Sequence, residues 1–281
     1  MGASPPPERP ARLSRRALLR GVAVGGAALV LGDGLGLEPR WLDVTRHDIA
    51  VPDLPASLAG FTIAHLSDVH IHGFGGLHEV IVRAVHQAQP QLVVLTGDIA
   101  DGDAYLPHVE RLCAELGARE RPILATLGNW EHWGDLTLDA LAVSYSRVGV
   151  RLLGNESLRL EPGICVVGVD DYCSRQADLG AALSAAPTGD LRLLLTHAPG
   201  LFDHAAGAPR FDLCLAGHTH GGQVTAFGKA LVTPPGSGRF VAGAYDTPVG
   251  RAYVSRGIGT SDVPVRLACR PELPLLRLVQ G

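Results

Sequence analysis

The chain of 281 residues is short of lysine, of cysteine pairs and of long apolar runs. Lys229 is the one lysine among 24 basic residues, and the formal charge is −4. No basic face for nucleic acid emerges from that balance, and no nucleic-acid partner is expected. The five cysteines (113, 165, 173, 214, 269) are odd in number and show no Cys-x-x-Cys spacing. They offer neither a disulfide framework nor a thiolate zinc site, and a Cys165–Cys173 pair is the one bridge left open. Aromatic residues are 5% of the chain. Its most continuous apolar stretch near the start, Gly21–Gly32, falls short of the roughly 20 residues of a membrane span.

What is present is 46% hydrophobic residues, enough for a packed core, with 35 Gly and 20 Pro that argue for a loop-rich fold and against a helical bundle. Residues 1–12 are rich in Pro and Arg, and Ser14-Arg15-Arg16-Ala17-Leu18-Leu19-Arg20 then leads into the Gly/Ala-rich run. Paired arginines before a short, weakly apolar segment resemble a twin-arginine export signal; a short buried or amphipathic helix is the plain alternative. Residues 1–38 are therefore read as export signal or membrane anchor, and 39–281 as one working domain. The expected partner is the twin-arginine export machinery, with membrane association through residues 17–37 if the segment is retained. The expected location is the periplasm or the outer face of the cytoplasmic membrane. Removing five Arg and the acids Glu8, Asp33 and Glu38 takes the charge from −4 to −6.

Within the domain, strand-like runs at Phe61–Leu66, Leu92–Leu95, Ile123–Leu127, Ile164–Val169, Leu191–Leu195 and Leu213–Ala216 alternate with helical periods. The helical periods lie at Leu77–Ala88, Ala104–Leu116, Leu136–Val148 and Ala177–Ala185. Trp41–Val51 reads as extended, Phe227-Gly228-Lys229 as a hairpin tip, and Tyr253–Ser255 and Leu275–Val279 as closing strands. The pattern predicts an α/β or α+β layered domain.

Polar residues fall where these strands end. Ser67-Asp68-Val69-His70, Thr96-Gly97-Asp98, Gly128-Asn129-Trp130-Glu131-His132, Thr196-His197 and Gly217-His218-Thr219-His220 each follow an apolar run. The carboxyl edge of an open α/β sheet is where ligands bind. One such residue is unremarkable, and a lone His is more often structural. Five strand ends in a row point to a pair of divalent ions. A set of imidazole, carboxylate and amide donors without thiolate suits Mn, Fe, Zn, Ni or Co.

Asp-x-His, Gly-Asp, Gly-Asn, a solitary His and Gly-His-x-His, in this order from Asp68 to His220, resemble the calcineurin-like metallophosphoesterases. The texts 217–223 and 255–261 are similar to its exported bacterial branch. The resemblance implies a four-layer α/β/β/α sandwich of two facing mixed sheets flanked by helices. It implies two divalent metal ions, one held by Asp68, His70 and His220, the other by Asn129, His197 and His218, with Asp98 bridging. A water shared by the ions would attack the phosphorus of a phosphoester substrate in line. The chain departs from the family at Trp130, where members carry a histidine that assists the leaving group; an indole N–H has no useful acidity. His132 is the candidate replacement, and a surface role its alternative. Two rival readings follow: a metal-binding envelope protein with weakened catalysis, and a hydrolase of lipid-linked pyrophosphate.

Overall fold

The computed structural model describes residues 32–261 and 263–281. Most of the 1–38 reading lies outside the described residues. Its final part, a π-helical turn Asp33–Leu37 and a 3-10 turn beginning at Glu38, lies against the folded body. Glu38 is buried and its carboxylate accepts from the backbone N–H groups of Ala268 and Cys269, while Gly34 O accepts from Arg266 N. Among the described residues, no helix is long and apolar enough to cross a membrane.

Two six-stranded mixed sheets form the body. The first contains β1 (Asp43–Val51), β2 (Thr62–Leu66), β3 (Leu92–Thr96), β4 (Ile123–Thr126), β5 (Val150–Leu152) and β14 (Glu272–Gln280), in the order β1-β14-β2-β3-β4-β5. The second contains β6 (Glu156–Leu160), β7 (Ile164–Gly168), β8 (Leu191–Leu195), β9 (Phe211–Ala216), β12 (Gly243–Thr247) and β13 (Gly250–Val254), in the order β12-β13-β9-β8-β7-β6. A small hairpin joins β10 (Thr225–Ala226) to β11 (Lys229–Ala230), with Phe227 and Gly228 at its turn.

Side-chain alternation along the strands builds the layers. Ile63, Leu92, Val94 and Leu124 of the first sheet meet Ile164, Val166, Leu193 and Leu213 of the second in one core. Their neighbours Val93, Leu95 and Ala125 face the other way. They pack on Ile81 and Val85 of α1 (Gly76–Ala88), Val109 and Leu112 of α2 (Leu106–Glu115), and Leu141 and Tyr145 of a further helix, Leu138–Val148. On the second sheet, Val167, Leu194 and Cys214 turn outward onto Ala182 of a helix at Leu179–Ser184 and onto Leu201 and Phe202 of a short turn of helix. The result is the expected α/β/β/α layering, with central strands buried on both faces and therefore mostly apolar.

In the first sheet, β2, β3 and β4 run parallel; so do β7, β8 and β9 in the second. The loops after β2, β3, β4, β8 and β9 carry the polar texts singled out above. All five cysteines are free thiols, Cys165 and Cys173 included.

Candidate metal centre

Strand geometry alone does not aim the side chains. Five of the seven proposed ligands have positive φ: Asp68 (52°), His70 (44°), Asp98 (53°), His218 (68°) and His220 (50°). Such backbone is uncommon for residues with a Cβ and clusters at functional sites. Here it falls in the loops that follow β2, β3 and β9. These loops leave room for glycine alone at some neighbours. A Cβ on Gly217 would collide with Ser67 Oγ and Asp68 Oδ2, so the β9 loop passes against the β2 loop with no side chain between them.

The seven residues converge in two adjoining groups. In the first, His220 Nε2 is 3.3 Å from both Asp68 Oδ1 and His70 Nε2. In the second, His197 Nε2 is 3.1 Å from Asp98 Oδ2 and 3.1 Å from Asn129 Oδ1. His218 Nδ1 lies 2.9 Å from the same amide oxygen and 3.1 Å from His197 Nε2. Asp98 Oδ2 also lies 3.8 Å from His70 Nε2, which puts one carboxylate between the groups. All seven are buried.

The donor chemistry fits cations. His197 Nδ1 donates to Thr96 O at 2.8 Å, and His218 Nε2 donates to Pro235 O at 2.8 Å. Each bond fixes a ring so that its other nitrogen faces Asn129 Oδ1, an atom that also only accepts. With both rings neutral, three lone pairs meet there with no hydrogen among them, an arrangement that calls for positive charge. His197 shows the same demand: burial opposes protonation, yet the charge and hydrogen bond of Asp98 hold it well above the ordinary histidine range. Burial and neighbouring cations keep His218 and His220 below that range, neutral and ready to ligate. Burial would raise Asp98, but His197 overrides it and holds the carboxylate ionised.

A family model described as calcineurin-like phosphoesterase matches residues 61–222, more than half of the chain and a range that contains all seven proposed ligands. The chain belongs to that family. It is therefore a hydrolase of phosphoester bonds, and it works with two divalent metal ions, for which it presents two ligand clusters. Similar proteins span almost all of it. The uncharacterized metallophosphoesterase YkuE of Bacillus subtilis is 31% identical over 95% of this chain and 98% of its own length. The phosphodiesterase YaeI of Escherichia coli is 30% identical over 95% and 100%. A solved dimetal phosphatase from Danio rerio is similar at a TM-score of 0.44 and 14% identity, over 71% of this chain and 88% of that one.

Around the clusters, α3 (Asn129–Trp133) carries three further residues of interest. The Trp130 ring meets His70 edge-on at 6.1 Å, and its backbone N–H donates to Asp98 Oδ1 at 2.8 Å. Glu131 accepts from the N–H groups of Asp98 (2.8 Å), Ile99 (2.6 Å), Ala100 (3.4 Å) and Gly128 (2.8 Å), tying the β3 and β4 loops together. Burial, then the charge of Asp98, pushes it up to about 7. His132 stands apart from the seven and bonds through Nε2 to Asp170 Oδ1 at 2.7 Å. His65 is buried, bonded to Thr96 Oγ1 at 2.7 Å, and depressed to about 4 by burial. His72 pairs with Asp101 at 2.9 Å. Arg256 is held by Asp43 and Glu272, so its role is structural.

Sequence reasoning gave no role to Arg266. It is fully buried and donates to the carbonyls of Gly259, Arg256, Cys269 and His220. A single arginine in a loop carries no signal of this kind. Asp170 follows β7 and holds His132, while the cap of the Leu179–Ser184 helix is Asp178, which accepts from Ala181 N.

Proposed function

We propose that the chain hydrolyses a phosphodiester or related phosphoester at the cell envelope, after export by the twin-arginine route. In this reading Asp68, His70 and His220 hold one ion, Asn129, His197 and His218 the other, and Asp98 both. The observation that carries it is Asp98 Oδ2, set 3.1 Å from a histidine of one group and 3.8 Å from a histidine of the other. When bound, such ions polarise the phosphoryl oxygens and supply a nucleophilic water. The residues do the rest: Thr96 O and Pro235 O fix two imidazoles, and Glu131 locks the loops bearing Asp98 and Asn129. A diester is favoured because YaeI, a full-length relative, is named a phosphodiesterase.

His132 is the proton donor of this reading, with Asp170 holding its imidazole. Support comes from the adjacent Trp133, which lines a cavity of about 530 Å³ together with Tyr172, Cys173, Pro235 and Gly236. Cys173 Sγ is 3.6 Å from His218 Nε2, so that cavity adjoins the second cluster. Export is supported by Arg15-Arg16 ahead of the apolar run.

The test is turnover of an activated aryl phosphodiester by the full chain loaded with Mn²⁺, with metal content measured alongside. Turnover lost in Asp98→Ala supports the reading. No turnover with two ions bound would favour the weakened metal-binding protein that Trp130 suggests. For location, a fluorescent fusion should leave the cytoplasm and stop doing so when Arg15 and Arg16 become Lys.

A further inference from the structure

Beside His220 a cleft of about 590 Å³ opens, with walls that include Val224, Leu231, Val232, Val263 and Val265. Its rim is unusually bare: Leu231 is 62% exposed, Val232 75% and Val263 56%. Phe227 stands fully exposed at the β10–β11 turn, next to exposed Lys229. Single exposed apolar residues need no explanation, but a contiguous set around an apolar cleft marks an interaction surface.

The contiguity is set by backbone bonds. Leu231 N donates to Val224 O at 3.1 Å, and Val224 bridges to Leu267. The neighbouring Arg266 N donates to Gly34 O at 3.0 Å, and a Cβ on Gly34 would lie 3.5 Å from Val265 Cγ1. Exposed Leu35 and Leu37 therefore emerge beside the cleft wall. Just ahead of them in the sequence is the apolar run Gly21–Gly32. Exposed Trp41 follows, with the Arg270 guanidinium 3.7 Å above its ring. Aromatic rings and long cationic side chains at the margin of an apolar face suit a bilayer interface, where rings sit at headgroup level and cations meet anionic lipid. Lys229, Arg40 and Arg270 supply those cations.

We propose that this face seats on a lipid bilayer, and that the cleft beside His220 receives the hydrocarbon chain of a membrane-borne phosphoester whose phosphate lies at the metal centre. The substrate half of this rests on the phosphoesterase reading above; the docking half does not. A face that holds the bilayer against the cleft lets a lipid reach the metals without leaving the membrane plane.

The experiment uses the full chain and vesicles of phosphatidylcholine with phosphatidylglycerol, brominated on their acyl chains. Phe227→Trp places a reporter at the hairpin tip, at a side chain that packs on nothing. Quenching well beyond that of the parent protein, stronger with more phosphatidylglycerol, is the expected result. Quenching no greater than the parent's overturns the proposal. Substrate access is read as the ratio of turnover on an aryl phosphatidyl diester in vesicles to turnover on a soluble aryl diester. In Val232→Asp that ratio should fall about tenfold or more; a ratio within about twofold of the parent's overturns the cleft assignment. Quenching needs no catalysis and soluble turnover needs no membrane, so failure of either reading is told from failure of the other.

Discussion

Replacing Arg266 by Met tests whether a buried cation holds the first metal cluster in place. The guanidinium reaches Gly259 O twice (2.9 and 2.6 Å), Arg256 O at 3.0 Å, Cys269 O at 3.2 Å and His220 O at 3.4 Å. Met fills most of the volume and satisfies none of these carbonyls. An orphaned buried acceptor costs about 1–3 kcal/mol, and removing the desolvated charge returns part of that. His220 O keeps the Gln223 N–H at 3.0 Å, so three carbonyls are orphaned, and the low end for each puts the loss near 3 kcal/mol. A domain of this size shifts by about 2–4 °C per kcal/mol, so the melting temperature should drop by roughly 6–12 °C. The loss is also directional. Arg266 braces the His220 carbonyl and the 256–259 loop, where Gly259 N in turn donates to Asp68 O at 2.6 Å. Both residues belong to the first cluster. Titration of metal into Arg266→Met should weaken one site of two and leave the other close to the parent's, and Arg266→Lys should fall between. Calorimetry with metal analysis reads both effects. A melting temperature within about 2 °C of the parent's, with two ions bound as tightly, would refute the reasoning.

Three other substitutions address the site and its support. His132→Gln should slow hydrolysis of alkyl esters about 10²-fold and aryl esters with good leaving groups only a few-fold, since general acid catalysis matters when the leaving oxygen is basic. A gain of that size in Trp130→His would instead show that no donor is present. Gly217→Ala drives a methyl into Ser67 and Asp68. It should reduce bound metal well below two ions per chain while the far-ultraviolet dichroism stays close to the parent's. His65 is held neutral, falling to about 4 in the folded chain from an ordinary value near 6.5. The unfolded chain then takes up this proton first as pH falls, so stability is full above about 6.5 and lost toward 4. The loss is about 3 kcal/mol at roughly 1.4 kcal/mol per unit, and denaturant midpoints of His65→Gln should lack that share of the acid dependence.

What the sequence discloses here follows burial. Central strands β2, β3, β4, β7, β8 and β9 are covered on both faces, so each reads as an apolar run, and its end is marked where polar residues begin. All seven proposed ligands sit at such ends, which is why they could be picked out before any geometry existed. The strands that escaped notice, β5, β6 and β12, are the short or half-exposed edges of the two sheets. With one face in water and a neighbour on one side only, nothing forces their composition toward Val, Ile and Leu. Support around the site is hidden for a different reason. Glu131 and Arg266 act through backbone N–H and C=O groups, and a main-chain partner leaves no trace in residue identity. Glu131 stood in a motif but its four amide contacts did not; Arg266 stood in none. The positive φ of Asp68, His70, Asp98, His218 and His220 is likewise silent in the text, because aspartate and histidine tolerate that backbone without requiring it. The proposed ligands are thus legible in the sequence, while the strain and bracing that aim them arise only when the loops pack. Substitutions at bracing positions are therefore expected to change metal occupancy without touching a ligand, and Arg266→Met is the cleanest instance.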